Sequence, residues 1–554
     1  MKLNNQTLFS LESEERWRAT GIKPVGYNRA AVIERTKKSP AWVHFGAGNI
    51  FRAYLARAAQ ELIEQGCDKG VIAAEGYDYE IMDMTMTPYD NLFILVTLKS
   101  DGTADKKVVA SITEALKAGT KYEDFNRLKE IFRSKTLQMV SFTITEKGYS
   151  LQNAGRETPP DVLHDFENGA ESPRSYMGRI TALLHERFNA RGEPSLALVS
   201  MDNCSHNGDK LKAVVMAFAE TWEEKGFVKK GFIKYIKKKI TFPWSMIDKI
   251  TPAPHKEIRK MLEEAGLSGM TPVVTSKNSY TAAFVNAEEA EYLVIEDSFP
   301  NGRPPLEKAG VIFTDRETVD KAEKMKVCTC LNPLHTALAI FGCLLGYNRI
   351  SEEMKDPDLK KLVEKIGYEE GLPSVTDPVI INPRAFLDEV INVRLPNPFL
   401  PDAPQRIVTD TSQKIPIRFG ETVKAYMQRG DLDINNLKLI PLVFAGWLRY
   451  LLGIDDEGAS MEISPDPLYL HLNSHLKHVK FAWTPEQPDE NEENYEIPEP
   501  PNFREKIRPL LEDEKIFGVN LYDAGLGKKV EDMFGELITE TGAVRRTLQK
   551  YLGE

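Results

Sequence analysis

Apolar residues recur at two different spacings along this chain, and the spacing changes a little past its middle. The first 40 residues are polar and predict a lead-in of irregular chain with short helical pieces. From Ala41, short apolar runs alternate with amphipathic stretches. AWVHFG closes on glycine, as a buried strand would. NIFRAYLARAAQELIEQG then repeats apolar residues at helical spacing and stops at Gly66. GVIAAEG (70–76), NLFILVTLKSDG, KKVVASI, LQMVSFTIT (137–145) and SLALVSMDN (195–203) predict further strands. Helices are predicted over 121–134 and over DKLKAVVMAFAETWEEKG. Strand alternating with helix argues an α/β fold with a doubly wound parallel sheet covered on both faces.

Beyond residue 313 helical periodicity dominates: 331–347, 359–370, 384–394, 420–430, 436–453, 503–517 and 526–552. The stretch 485–501, PEQPDENEENYEIPEPP, is acidic, proline-rich and nearly free of apolar residues, and predicts a solvated surface insertion. Two domains are expected, 1–313 and a mostly α-helical 314–554.

Composition narrows the class. With 42% apolar and 28% charged residues over 554 positions, the chain is built like a soluble globular protein. AVVMAFAETW and ALAIFGCLLGY are too short to cross a bilayer, and no membrane partner is expected. A formal charge of −11 argues against binding nucleic acid, while leaving room for a local basic pocket. Five scattered cysteines suit a reducing compartment, and the first residues lack the apolar core of a signal peptide, so a cytoplasmic location is expected.

The first candidate chemistry lies in HFGAGNIFR (44–52), between a predicted strand and helix. Gly46 and Gly48 suit a turn whose backbone approaches a dinucleotide pyrophosphate at a helix N-terminus, with Asn49, Phe51 and Arg52 as neighbouring cofactor-binding candidates. Phe51 stands where a third glycine is usual. Glu75 or Asp78, at the end of the second strand, would accept the ribose hydroxyls of NAD and repel the extra phosphate of NADP; a solvated acidic loop is the alternative. SMDNCSHNG (200–208) follows another strand end. Its Asn203 offers an amide N–H for a carbonyl or alkoxide, or else caps a turn, and Asn207–Gly208 reads as a turn signal.

In KVCTCLNPLH (326–335), Asn332 and His335 share a helix face, and Lys326 is the nearest upstream base candidate. Cys-x-Cys without a second pair is a poor zinc signature, so no metal is expected. Arg394, Arg406, Lys414 and Arg418 concentrate positive charge within 394–418, suited to a substrate carboxylate or to local ion pairs with Asp402 and Asp410.

These motifs, in this order, resemble the mannitol dehydrogenase family of polyol and hexuronate dehydrogenases. The likeness runs through GAGNIFRA, TITEKGY (143–149), SMDNCSHNG, FPWSMIDKITP (242–252), EDSFPNGRP (296–304), KVCTCLNPLH, RLPNP (394–398) and QRIVTDTSQK (405–414), and resumes in GAVRRTLQKYL (542–552). The resemblance implies a Rossmann-type N-terminal domain for NAD, a helical C-terminal domain, an active site between them and no metal. It assigns the catalytic lysine to Lys326, two polarising asparagines to Asn203 and Asn332, and the substrate-positioning histidine to His335. Asp248 and Lys414 stand at further positions the family uses around cofactor and substrate. The activity implied is reversible hydride transfer on a sugar acid or polyol. The stretch 373–414 is similar to the branch that interconverts fructuronate and mannonate; tagaturonate reduction, mannitol oxidation, sugar-acid epimerisation and non-catalytic sugar binding are the alternatives.

One departure bears on the chemistry. Lys326 precedes Asn332 by six residues, where the family has five. One extra residue turns a helical position by roughly 100°. Lys326 therefore needs a bulge, or a place before the helix begins, and Lys324 is the fallback. Pro333 fits the first turn of a helix starting near Leu331.

Overall fold

A computed structural model describes residues 1–10, 13–153, 156–482 and 502–553. The acidic insertion expected over 485–501 lies outside the described residues. The chain divides between Asp320 and Lys321 into two compact units.

The first unit is built on six parallel strands: β1 (Trp42–Phe45), β2 (Val71–Glu75), β3 (Ile112–Lys117), β4 (Met139–Phe142), β5 (Leu196–Ser200) and β6 (Ile240–Thr241). Their spatial order is β3-β2-β1-β4-β5-β6, so the winding reverses between β1 and β4. Both faces are covered, which explains why these strands read as continuous apolar runs. Alternate residues serve opposite cores. Val43, Phe45, Ile72, Val140 and Phe142 face Leu128, Phe132, Leu183, Val215 and Trp222, carried by α2 (Asp124–Arg133), α3 (Tyr176–Phe188) and α4 (Asn207–Glu224). Trp42, Val71, Ala73, Met139 and Val199 face Tyr54, Leu55 and the residues of α1 (Arg57–Glu64).

KKVVASI is not one strand of this sheet. Ala104–Val109 pairs antiparallel with Phe93–Leu98 in a separate three-stranded sheet completed by Phe284–Glu288, and the chain then turns at Ala110–Ser111 to begin β3. Ser245–Asp248, Tyr292–Glu296 and Ile312–Thr314 form a third sheet. Asn207–Gly208, expected as a turn, is instead the first turn of α4.

The second unit is helical. Its interior helices α5 (Asn332–Leu344) and α6 (Leu439–Tyr450) are buried almost all round, as their composition requires. A further helix, α7 (Gly527–Leu537), buries Val530, Met533, Phe534 and Leu537. ALAIFGCLLGY belongs to a longer apolar stretch than its own length suggests. Arg316–Leu344 has an 18-residue window of mean hydropathy 1.5, and 78% of that window is buried inside the fold.

Candidate active site

In the first unit a cavity of about 610 Å³ opens at the carboxyl ends of β1, β2 and β4, where the winding reverses. Open α/β sheets bind ligands at this position. Gly46 and Gly48, Glu75 and Asp78, and Thr143 to Thr145 line it. Gly46 sits at φ +105°, and a Cβ there would meet the Thr143 carbonyl oxygen at 2.3 Å. Only glycine lets β1 turn this close to β4. A Cβ on Gly48 would meet nothing within 4 Å, so its backbone is open to a ligand.

The two carboxylates at the end of β2 differ. Glu75 accepts the backbone N–H of Ala47 (2.9 Å), Tyr77 (2.8 Å) and Asp78 (3.2 Å). Burial raises its pKa, and these three amides oppose the shift. It holds the glycine turn in shape. Asp78 is equally buried, and its Oδ2 accepts from Thr275 Oγ1 at 2.6 Å. Its Oδ1 has no hydrogen-bond partner among the described residues. The open Gly48 backbone and this orphaned carboxylate oxygen are the groups a dinucleotide's phosphates and ribose hydroxyls require, so the residues present fit NAD.

The flanking residues depart from expectation. Phe51 is fully buried and stacks on His44 with ring centroids 4.3 Å apart. Arg52, also fully buried, donates to the Ala282 carbonyl, Thr281 Oγ1 and Asn49 Oδ1. Neither side chain lines the cavity, and nor does that of Asn49. These residues brace the turn rather than line it: Phe51 fills the space between helix and strand that a third glycine would have left closed up. Asp248, the last residue of its strand, is buried opposite Tyr292 and also lies away from the cavity lining.

Asn203 is exposed just past β5. The neighbouring Asp202 ties this strand end to that of β4, accepting from Ile144 N–H (2.9 Å), Thr145 N–H (2.7 Å) and Tyr149 Oη (2.6 Å). Asn207 Nδ2 donates to the carbonyls of Asp202 (3.1 Å) and Ser245 (2.9 Å), and its Oδ1 accepts Ser245 N–H. Three separate sequence motifs are thus pinned together by Asp202, to which the motif gave no role, and Asn207, which reads in sequence only as a turn signal. The side chain of Lys249, next to Asp248, is buried and bonds Glu291 at 2.8 Å.

In the second unit Lys326 is buried within a π-helical turn, Met325–Cys330. The Leu331 N–H donates to the Lys326 carbonyl five residues back, at 3.1 Å. A π turn holds one more residue per hydrogen-bonded ring than an α turn. It is the bulge that the sixth residue between Lys326 and Asn332 demands. Helix α5 starts afresh at Asn332, with Pro333 in its first turn. His335 Nε2 lies 3.5 Å from Asp402 Oδ2 and has no hydrogen-bond partner among the described residues. Burial pushes the imidazole down to about 4; the Asp402 carboxylate opposes this, and the Arg418, Arg406 and Arg394 guanidiniums reinforce it. The ring is therefore neutral at ordinary pH.

Within the basic cluster, one of the expected local ion pairs forms. Arg406 pairs with Asp402 on its own turn of chain. Lys414 Nζ donates to the carbonyls of Ile407 (2.9 Å) and Thr409, and burial together with Arg418 pushes its ammonium down to about 8. Arg394 is buried at the end of a second π turn, Val390–Arg394. Arg418, which carried no individual role in the sequence, donates to Thr336 Oγ1 at 2.5 Å and lies 3.4 Å from the Asn332 carbonyl oxygen, clamping the first turn of α5.

Comparison with known proteins bears on both units. Residues 40–308 match the mannitol dehydrogenase Rossmann domain, and residues 318–517 match the mannitol dehydrogenase C-terminal domain. D-mannonate oxidoreductase of Thermotoga maritima is 53% identical, over 100% of this chain and 99% of its own. D-mannonate oxidoreductase of Escherichia coli is 27% identical over 77% of this chain and 82% of its own. Among solved structures, Pseudomonas fluorescens mannitol 2-dehydrogenase, in a ternary complex with NAD and D-mannitol, covers both chains fully at 27% identity and a TM-score of 0.70.

Proposed function

The chain belongs to the mannitol dehydrogenase family, and on that premise we propose that it is an NAD-dependent oxidoreductase of a sugar acid, reducing D-fructuronate to D-mannonate and running in reverse. The observation that carries the reading is the full-length match, at 53% identity, to a D-mannonate oxidoreductase. The glycine turn and the Asp78 carboxylate support the choice of cofactor.

Gly46, Gly48 and Asp78 would hold NAD, which in its reduced form would supply the hydride for the carbonyl carbon. Lys326 gives the proton to the carbonyl oxygen in reduction and takes it back in oxidation. The side-chain amide of Asn332 donates to that oxygen as negative charge grows on it. Neutral His335 fixes a neighbouring hydroxyl, and its low pKa keeps it from competing for the proton. Arg394, Arg406 and Lys414 receive the substrate carboxylate, which distinguishes a sugar acid from a neutral polyol.

The test is the near-ultraviolet absorbance of NADH with fructuronate, tagaturonate and fructose in turn. Fastest net oxidation with fructuronate is expected. Preference for fructose would move the chain to the polyol branch. Product formed without net loss of NADH would make it an epimerase, and no turnover on any substrate would leave a binding protein.

A further inference from the structure

The strands Val273–Val274 and Tyr280–Thr281 form a short antiparallel hairpin far along the chain from the glycine turn. Its connection returns to the end of β2 at three points. Thr275 Oγ1 reaches Asp78 Oδ2 at 2.6 Å. Ser276 donates to the Glu80 carboxylate from its backbone N–H (2.9 Å) and its hydroxyl (2.5 Å). The Lys277 ammonium sits 5.1 Å from the ring centroid of Tyr77, a side chain lining the cavity mouth.

The Thr275 hydroxyl is committed in its direction. Its oxygen accepts the backbone N–H of Ser279 (3.1 Å) and of Lys277 (3.3 Å), so both lone pairs are used and its proton goes to Asp78. Thr275 and Asp78 are each only 3% exposed. With Oδ2 held, the Asp78 carboxylate cannot swing, and Oδ1 is left as a buried acceptor without a partner among the described residues, on a residue that lines the same cavity as Gly46, Gly48 and Ser279.

We infer that Thr275 is the positioning residue for cofactor choice: by anchoring one oxygen of Asp78 it aims the other at the adenosine ribose, favouring the free hydroxyls of NADH over the 2′-phosphate of NADPH. This rests on the cofactor reading above. It adds a second determinant on an element distant in sequence from the carboxylate it controls. Lys277 sharpens the argument. A cation stands close to the same cavity mouth, so repulsion of the phosphate depends on Asp78 staying in place.

The experiment is fluorescence titration of the full chain with NADH and with NADPH. Thr275→Val removes the donor at constant shape. It is expected to weaken NADH roughly tenfold, the worth of a hydrogen bond to a charged group, and to leave NADPH nearly unchanged, lowering the preference for NADH. Thr275→Ser should restore the preference. In an Asp78→Asn background, Thr275→Val should have no further effect on the ratio. Ser276→Ala loosens the same hairpin without touching Asp78 and should leave the ratio intact. If Thr275→Val fails to fold, Thr275→Ala is read in its place. An unchanged ratio in the folded variant, an equal fall in the Asp78→Asn background, or an equal fall with Ser276→Ala would overturn the inference. Wild-type chain that binds neither cofactor would remove the reading beneath it.

Discussion

The glycine turn of the first unit and the Lys326–His335 segment of the second both carry family motifs, yet they are built on opposite principles. Around the turn, polar side chains are mostly tied down: Glu75 takes three backbone amides, both ring nitrogens of His44 are taken by Ser141 Oγ and Thr143 Oγ1, and the Asp78 Oδ1 stands out as the acceptor left open. In the second unit, titratable side chains are buried with bonds unmade. His335 Nε2 lacks a hydrogen bond, and both oxygens of Glu353, behind the far end of α5, lack one among the described residues. A site that only grips a cofactor is served by rigid main chain. A site that moves protons needs side chains whose protonation the surroundings have displaced.

The largest expected effect removes the proton donor. Lys326→Met should lower kcat by about 10²–10⁴-fold while NADH affinity is kept; retained turnover would move the base elsewhere, with Lys324 next to test. On the other side of the comparison, Gly46→Ala should abolish tight NADH binding in titrations and cost about 1–3 kcal/mol in denaturant unfolding, because the new Cβ meets the Thr143 carbonyl at a strained φ. A variant that binds NADH normally would show that the backbone is less rigid than the contrast requires.

Smaller effects sharpen the second unit. With Lys414 at about 8, KM for a sugar acid should rise several-fold as pH passes that value, while KM for a neutral polyol stays level. Equal rises would take Lys414 off the carboxylate. Burial pushes the Glu353 carboxyl up to about 9. An acid whose folded-state pKa is raised stabilises the fold below its ordinary range and withdraws that stability as pH climbs towards the raised value. Thermal melts should therefore show Glu353→Gln gaining a few degrees over wild type, more at alkaline than at acid pH. A gap independent of pH would contradict the burial account.

Much of this was legible in the chain. Gly46 and Gly48 mark the turn because glycine is the punctuation a positive φ demands, and Pro333 marks the start of α5 because its ring suits a first turn. The parallel sheet shows as unbroken apolar runs. Other features depend on groups far apart in sequence. Thr275 and Asp78 are 197 residues apart, and nothing in TSKNSYT announces the contact. The π turn at Met325–Cys330 was visible only as a spacing that failed to fit a regular helix. KKVVASI looked like one strand because composition cannot say that Val109 and Ile112 belong to different sheets.

The most direct measurement is isotopic. The chain is incubated with fructuronate and NADH deuterated at C4 of the nicotinamide, and the product is examined by mass spectrometry. The account predicts one deuterium in each mannonate, on the carbon that was the carbonyl, in amounts matching the NADH consumed. Mannonate formed without deuterium from either face of C4, or a fructuronate epimer in its place, would contradict it.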